Sequence, residues 1–290
     1  MHKYLKAIGL TISSSKELRK ILKEVEHKFT RYELMEIEEN VDFCEFQRAY
    51  NESMGIAVLG KIDETGQFER DFYLPYFKGN GITSYADIIV ERSIEKDTYM
   101  GVCEDIKVGI NLIFRIVNGI SYMRELQIGN IPKKFTSVTL SGLANGGMIL
   151  FPVQKDEQEI KMIKSESRNR MQLMNAAKKG DEAAMESLTL EDMDIYSSVA
   201  RRLIKEDVLS IVDTYFMPYG IESDQYSVLG EIISFHIKEN SYSCENVYIF
   251  TLNVNELQFD ICVPEKELVG EPKIGRRFKG TIWLQGYINF

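Results

Sequence analysis

The first helical pattern in the chain begins near residue 14. Ser14 and Glu17 have the spacing of a capping box, which marks the start of a helix. Apolar residues then recur every three or four positions, so that they share one helical face. They are Leu18, Ile21, Leu22, Val25 and Phe29. A helix with one apolar face is expected to pack against a sheet.

Between residues 41 and 153 the pattern changes to short apolar runs separated by turn residues, which predicts strands. The runs are GIAVLGKI, DFYLPYF, ADIIVER, VGINLIFRIV, FTSVTL and GMILFPV. Asn145-Gly146-Gly147 precedes the last run, and Asn and Gly tolerate the positive φ of a tight turn. We therefore predict a β-hairpin at these three residues.

Residues 154–219 are rich in helix formers and predict two or three helices, with Gly180 as a stop. Thr189 and Asp192 have capping-box spacing, which predicts that a helix begins there. An apolar stripe follows, formed by Met193, Tyr196, Ala200, Leu203 and Ile204. A last helix is predicted from Val208 to Phe216, because the apolar residues continue until Pro218 ends them.

From residue 226 the apolar period returns to two, which is typical of strands. Four segments have this pattern: SVLGEIISFHIKEN, NVYIFTLNVN, LQFDICVP and RRFKGTIWLQGYINF. Four strands joined by short turns are enough for a small antiparallel β-barrel of SH3-like or OB-like type.

The sequence thus predicts an α+β fold in three parts. Residues 1–153 are expected to form an antiparallel-sheet domain with a packing helix. A helical connector is expected over 154–219 and the small β-barrel over 220–290. A length of 290 residues agrees with about two domains at roughly 150 residues each.

The last strand has one polar and aromatic face that is a candidate binding surface. At period two, Lys279, Trp283 and Tyr287 lie opposite the apolar face, and Trp283 is the only tryptophan. Aromatic rings and a cation can bind single-stranded nucleic acid. Residues 221–290, however, carry ten acidic and six basic side chains, which weakens phosphate binding. The alternative is that Trp283 and Tyr287 pack against the helical segment 181–216.

Composition narrows the class of protein. The chain is 44% hydrophobic and 27% charged, as in ordinary globular proteins, and its net charge of -9 repels polyanions. No apolar run approaches the roughly 18 residues of a membrane span, and the first residues lack a signal-peptide pattern. We therefore expect a cytoplasmic protein that does not bind membranes.

The motifs of common cofactor and metal sites do not occur in the sequence. The four cysteines lie far apart without a CxxC pair and are expected to be buried: Cys44, Cys103, Cys244 and Cys262. No glycine-rich phosphate-binding motif follows a strand. Asp192 and Asp194 have a D-x-D spacing but are expected in the first turn of a helix, where they stabilise its dipole. We predict no cofactor and no metal.

His236 and Glu231 are the remaining candidates for chemistry. His236 is expected to be partly exposed on a strand, with no nucleophile in a motif that it could activate. Glu231 lies on the same side as Leu229 and Ile233, so that it is either buried in the barrel or placed at the rim.

Three stretches resemble a bacterial family of unknown function found in Gram-positive anaerobes. They are MHKYLKAIG, LTLEDMDIYSSVARRLIKEDVLSIVDTYFMPYGIESDQYSVLGEI and GRRFKGTIWLQGYINF. The resemblance implies a bacterial cytoplasmic setting and transfers no activity or site residue. We expect a non-enzymatic interaction or regulatory protein whose partner is another protein or a second copy. The alternatives are nucleic-acid binding by the barrel, and an enzyme with a carboxylate site that its motifs do not reveal.

Overall fold

The protein, described by a computed structural model, contains two β-sheets with helices on their faces, which confirms the α+β class. The structure describes residues 2–38, 41–92, 98–105, 110–130, 137–153, 157–204 and 207–290. A 3-10 helix, Lys3–Ile8, opens the described chain, and a second short one spans Glu265–Glu267.

The first sheet is an antiparallel meander of four strands in sequence order. Its strands are β1 (Arg31–Glu38), β2 (Val41–Ala49), β3 (Met54–Ile62) and β4 (Phe68–Phe77). Helix α1 (Ser15–His27) packs against β2 and β3 through its predicted apolar face, with Leu18, Ile21, Leu22 and Val25 buried. Phe29 is the exception, because it follows the end of the helix and is 45% exposed.

The predicted cap of α1 is confirmed. The Ser14 hydroxyl oxygen accepts a hydrogen bond from the Glu17 backbone N–H at 3.2 Å. The Glu17 carboxylate in turn accepts from the Ser13 backbone N–H at 3.1 Å. Two N–H groups without a partner inside the helix are thereby satisfied.

The second sheet contains the eleven other strands found in the described residues. They are β5 (Ile88–Arg92), β6 (Tyr99–Asp105), β7 (Ile110–Ile116), β8 (Ser137–Ala144), β9 (Gly147–Leu150), β10 (Tyr215–Pro218), β11 (Gln225–Glu239), β12 (Asn246–Val254), β13 (Leu257–Pro264), β14 (Leu268–Val269) and β15 (Arg277–Asn289). The order along the main path is β10-β11-β12-β13-β8-β15-β7-β6-β5. The β13–β8 and β15–β7 pairs are parallel, so the sheet is mixed.

A separate antiparallel barrel within residues 220–290 is not confirmed. Strand β8, from the first half of the chain, lies between β13 and β15. Strand β11 pairs with β12 and also with β15, so that the pairings run from β11 through β12, β13, β8 and β15 back to β11. The division at residues 153 and 219 stays a prediction, although strands from both sides of it share this sheet.

The predicted hairpin at Asn145-Gly146-Gly147 is wrong. Strands β8 and β9 do not pair with each other, and both run antiparallel to β15. The chain therefore bends at these residues and continues in the same direction. Both glycines permit close packing: a Cβ at Gly146 would lie 2.9 Å from the Glu267 carbonyl oxygen, and one at Gly147 2.3 Å from the Phe278 ring.

The helical segment forms a hairpin of α3 (Glu157–Lys178) and α4 (Glu182–Leu203). Gly180, with φ of 89°, separates the two helices as predicted. The predicted start at Thr189 is wrong, because α4 begins earlier, where the Asp181 carboxylate accepts from the Ala184 N–H at 3.1 Å. Thr189 lies inside α4, and its hydroxyl donates to the Met185 carbonyl at 2.8 Å.

The predicted helix from Val208 to Phe216 is largely wrong. Helix α5 spans only Val208–Ile211, and the chain then forms β10, which contains Pro218. Strand β10 ends the main path of the sheet, and an edge strand tolerates a proline that cannot donate a hydrogen bond. Helix α2 (Gly119–Ile128) contacts β1.

Arg277 of β15 attaches both ends of the helical segment to the second sheet. Its guanidinium donates to the Phe151 carbonyl at 2.9 Å before α3, and to the Leu209 and Val212 carbonyls at 2.8 and 2.7 Å after α4. Arg277 is 5% exposed, so these carbonyls supply the partners that a buried guanidinium needs.

Across the described parts of the chain, no helix is long and apolar enough to span a membrane.

Candidate functional site

Trp283, the centre of the predicted binding surface, is covered by the N-terminal segment. It is 4% exposed, and its indole Nε1–H donates to the Asp224 carboxylate at 2.7 Å. Its ring stacks on Tyr4 at 5.6 Å and lies 4.7 Å from His2. We predicted that Trp283 packs against residues 181–216, but it packs against the first 3-10 helix instead. In the register of β15 with β11, Trp283 lies opposite Gln225.

Tyr287 and Lys279 lie in different surroundings from Trp283. The Lys78 ammonium lies 3.8 Å from the centre of the Tyr287 ring, and the Arg31 guanidinium lies nearby. Lys279 pairs in register with Leu229 of β11 and Met148 of β9. Tyr287 thus faces the first sheet, while Lys279 lies at the other end of β15. The structure does not bring the three residues into one contiguous surface, and their binding role stays a prediction.

A buried pair of carboxylates, not predicted from the sequence, lies on one face of the first sheet. Glu33 of β1 and Glu45 of β2 are direct cross-strand partners, with 8% and 4% exposure. Glu33 accepts from Arg31 at 2.9 Å and from Arg124 of α2 at 3.1 Å. Glu45 accepts only one described hydrogen bond from a side chain, from Gln47 at 2.8 Å.

Glu33 accepts hydrogen bonds from two arginines, whereas Glu45 accepts one from the uncharged side chain of Gln47. Burial raises the pKa of Glu45 to about 7, and the neighbouring Glu33 adds to this effect. The Gln47 hydrogen bond and the Arg31 charge act in the opposite direction and are weaker than the burial. Glu45 can therefore hold a proton near neutral pH, while the two arginines surround Glu33.

The network around Glu33 joins the first sheet to the rest of the protein. Arg31 also donates to the Ser121 hydroxyl of α2 at 3.1 Å and contacts Tyr287 of β15. One further link is made by Gln285, whose amide donates to the Pro75 carbonyl of β4 at 2.9 Å. These contacts identify the carboxylate face as the side that docks against α2 and β15.

The opposite face of the first sheet presents a partly exposed group of aromatic rings. Phe46 lies at its centre, with Phe29 and Tyr32 each at 5.2 Å and Phe68 edge-on at 5.0 Å between ring centroids. Phe29 is 45% and Tyr32 41% exposed. We call these four residues the aromatic patch. Burial raises the pKa of Tyr32, with Cys44 and Asp42 contributing further.

A cleft of about 700 Å³ opens beside Phe68 of the aromatic patch. Its walls come from α1 and from the ends of β2, β3 and β4. The lining residues are Glu26, Val41, Lys61, Asp63, Gln67, Phe68, Glu69 and Arg70. Arg70 pairs with Glu26 of α1, with its Nε 2.7 Å from the carboxylate, so that much of its charge is neutralised. Three acidic and two basic side chains line the cleft.

Sequence reasoning placed Phe29 on α1 and missed the patch. The sequence does contain a signal for the patch, because side chains alternate between the two faces of a strand. Tyr32 of β1 and Phe46 of β2 therefore lie on the face opposite to that of Glu33 and Glu45. It could not be read without the strand register, because both faces of each strand mix apolar and charged residues.

The other candidates for chemistry occupy ordinary positions. His236 is exposed on β11 as predicted, and Glu231 is exposed, which favours the rim over the interior. Cys44, Cys103 and Cys262 are buried, but Cys244 is exposed in a turn, with φ of 57°. Asp192 and Asp194 lie within α4 and not in its first turn. Among the described residues, no group of three or more His, Cys, Asp or Glu is placed to hold a metal ion.

Comparison with known families gives one match. The family model described as "Domain of unknown function, E. rectale Gene description (DUF3881)" matches residues 5–286. The chain therefore belongs to this family, which confirms the resemblance to a bacterial family of unknown function. Searches of curated proteins and of solved structures found no match.

Proposed function

We propose that this family member is a non-enzymatic interaction protein and that the aromatic patch with its cleft binds a segment of another protein. The partly exposed rings of Phe29 and Tyr32 carry the proposal. Contiguous exposed apolar surface marks interaction sites, and aromatic residues dominate the binding energy of protein interfaces. Strands β1, β2 and β4 hold Tyr32, Phe46 and Phe68, and Phe29 packs on Phe46 from the segment between α1 and β1, so little conformational freedom is lost on binding.

The charge of the cleft identifies the kind of segment. Glu26 pairs with Arg70, and Asp63, Glu69 and Lys61 leave the lining of the cleft with one net negative charge. An acidic rim attracts Lys and Arg side chains and repels phosphate groups. A volume of about 700 Å³ in an open cleft accommodates several side chains of a peptide. The expected ligand is a protein segment with one apolar anchor and basic neighbours.

Two alternatives have weaker support. Nucleic-acid binding by the face of β15 would need the ring of Trp283, which is 4% exposed. An enzymatic role for Glu33 and Glu45 is favoured by the proton that Glu45 can hold. Both carboxylates are buried in the contacts of the first sheet with α2 and β15, which favours a structural role.

Selection of phage-displayed random 12-residue peptides on the immobilised full-length protein tests the proposal. We expect enriched peptides to combine an aromatic or aliphatic anchor with Lys or Arg. Their affinity, measured by fluorescence anisotropy, should fall at least tenfold for Phe29→Ser and for Tyr32→Ser. Tyr85→Ser is the matched control, because Tyr85 is an aromatic residue with 79% exposure outside the patch.

Each result of the selection decides for or against the patch. Peptides that bind all variants equally would place the binding site elsewhere and refute the proposal. Acidic consensus peptides, or the failure of any peptide to be enriched, would refute it as well. Circular dichroism of the variants checks that lost binding does not reflect lost structure.

Two finer statements belong to the same proposal. We propose that the ring of pairings through β11, β12, β13, β8 and β15 is the small barrel, with β8 as its fifth strand. The length of β11 supports this, since its first half pairs with β15 and its second half with β12. A cytoplasmic location stays part of the proposal on the grounds of the sequence.

A further inference from the structure

One face of α4 carries residues at alternating spacings of three and four. They are Leu190, Met193, Ser197, Ala200 and Ile204, which we call the α4 seam. All five are exposed, Leu190 by 59%, Met193 by 63% and Ile204, directly after the helix, by 81%. Spacings of three and four are those of the a and d positions that join helices in coiled coils.

The α4 seam points away from α3. Arg170 of α3 pairs with Asp192 at 2.6 Å and Glu191 at 3.5 Å, which fixes the side of α4 that faces its neighbour. At 3.6 residues per turn, the centre of the seam lies roughly 190° around the helix from these two acids. The seam is thus an outward face, separate from the contact that forms the helical hairpin.

We propose that the α4 seam pairs with the α4 seam of a second copy of this chain, antiparallel about a twofold axis near Ser197 and Ala200. In this register Met193 of one copy lies opposite Ile204 of the other, and Ser197 lies opposite Ala200. The two small residues at the centre let the helices approach closely. A twofold interface uses the same patch on both copies, as a self-complementary helix requires.

Charge complementarity identifies the second copy as the occupant and sets its direction. Asp194 and Arg201 flank the seam on the same side, one in each half of the helix, and both are exposed. Antiparallel pairing places Asp194 of each copy beside Arg201 of the other, giving two ion pairs. A parallel arrangement would bring the acidic ends of the two helices together, since Glu182 and Glu186 lie in the same half as Asp194.

The length of the seam limits its strength. About 15 residues at 1.5 Å per residue give a contact roughly 22 Å long. Such a contact is smaller than that of permanent dimers, so we expect reversible association with a Kd on the order of 10 µM. This inference is independent of the proposed function, because the α4 seam and the aromatic patch share no residue.

Sedimentation velocity of the full-length protein between about 1 and 200 µM tests the pairing. We expect concentration-dependent dimers, weakened at least tenfold by Asp194→Arg and by Arg201→Asp, since each creates two like-charge pairs. An equimolar mixture of these two variants should form a heterodimer near wild-type strength, because every pair is then opposite in charge. Glu166→Arg, at an exposed position on α3, is the matched charge control.

The mixture also protects the test against misfolding, because unfolded variants would not restore association. A wild-type protein that stays monomeric over the whole concentration range would overturn the proposal. Dimers that both charge variants leave unchanged would overturn it too, since they would form through another surface. Loss of association without recovery in the mixture would exclude the antiparallel register.

Discussion

Replacement of Glu45 by glutamine should stabilise the protein at high pH and leave its stability unchanged at low pH. Glutamine has nearly the shape of glutamate and can still accept the hydrogen bond from Gln47, but it carries no charge. The substitution thus removes the ionisation of a side chain that is 4% exposed, without creating a cavity. It also removes the repulsion between Glu45 and Glu33.

The magnitude follows from the pKa. Burial raises the pKa of Glu45 from 4.5 to about 7, and each pKa unit is worth about 1.4 kcal/mol, which gives about 3 kcal/mol. The folded state keeps the Glu45 proton to higher pH than the unfolded state. The contribution to stability is therefore complete below about pH 4.5 and is lost as the pH rises through about 7.

Chemical denaturation at pH 4, 6 and 8 measures the effect as the difference in unfolding free energy between variant and wild type. Glu45→Gln should match wild type at pH 4 and exceed it by about 3 kcal/mol at pH 8. Glu36→Gln, at an exposed position of β1, should show no such trend. A difference that stays constant from pH 4 to 8, or that favours wild type at pH 8, would refute the assignment of Glu45 as a buried acid.

Two further predictions concern the single tryptophan and the cysteines. Trp283 should have blue-shifted fluorescence, and single-stranded DNA at low salt should neither quench nor shift it. The substitution Trp283→Ala should lower the free energy of unfolding by about 3 to 5 kcal/mol. Saturable quenching by the DNA would contradict the burial of Trp283. A thiol reagent should rapidly modify one cysteine of the native protein, and peptide mapping should identify it as Cys244. The other three should react slowly, because burial raises the pKa of Cys44 and Cys103 to about 12 and also raises the pKa of Cys262. Two or more rapidly reacting thiols would show that the core opens.

Local patterns predicted those elements whose structure depends on near neighbours in sequence. The cap of α1 follows from the spacing of Ser14 and Glu17, and the buried face of α1 follows from the period of its apolar residues. Gly180 likewise ends a helix for a reason contained in its own backbone. The prediction failed at Thr189, because its capping spacing recurs within a longer helix that Asp181 had already begun.

Long-range pairing explains the errors in the sheets. Strand β8 has the buried pattern of a central strand, but its sequence does not indicate that β13 and β15 are its neighbours. The hairpin at Asn145 failed for the same reason, since β15 supplies partners for both β8 and β9. Side chains converge on Glu45 and on Phe46 only after the register of β1 and β2 is fixed, so neither site could be found from one strand.

Under the proposed function the two faces of the first sheet have separate roles, and the proposed dimer would then have a consequence for binding. The carboxylate face attaches the sheet to α2 and β15, which leaves the aromatic patch free of that contact. A twofold dimer formed through α4 would present two such patches, so a partner with two matching segments would bind with increased avidity while a single peptide would not. Asp194→Arg should therefore weaken binding of a tandem peptide and leave binding of the single peptide unchanged. Equal weakening of both would mean that the patch and the α4 seam are coupled through the fold.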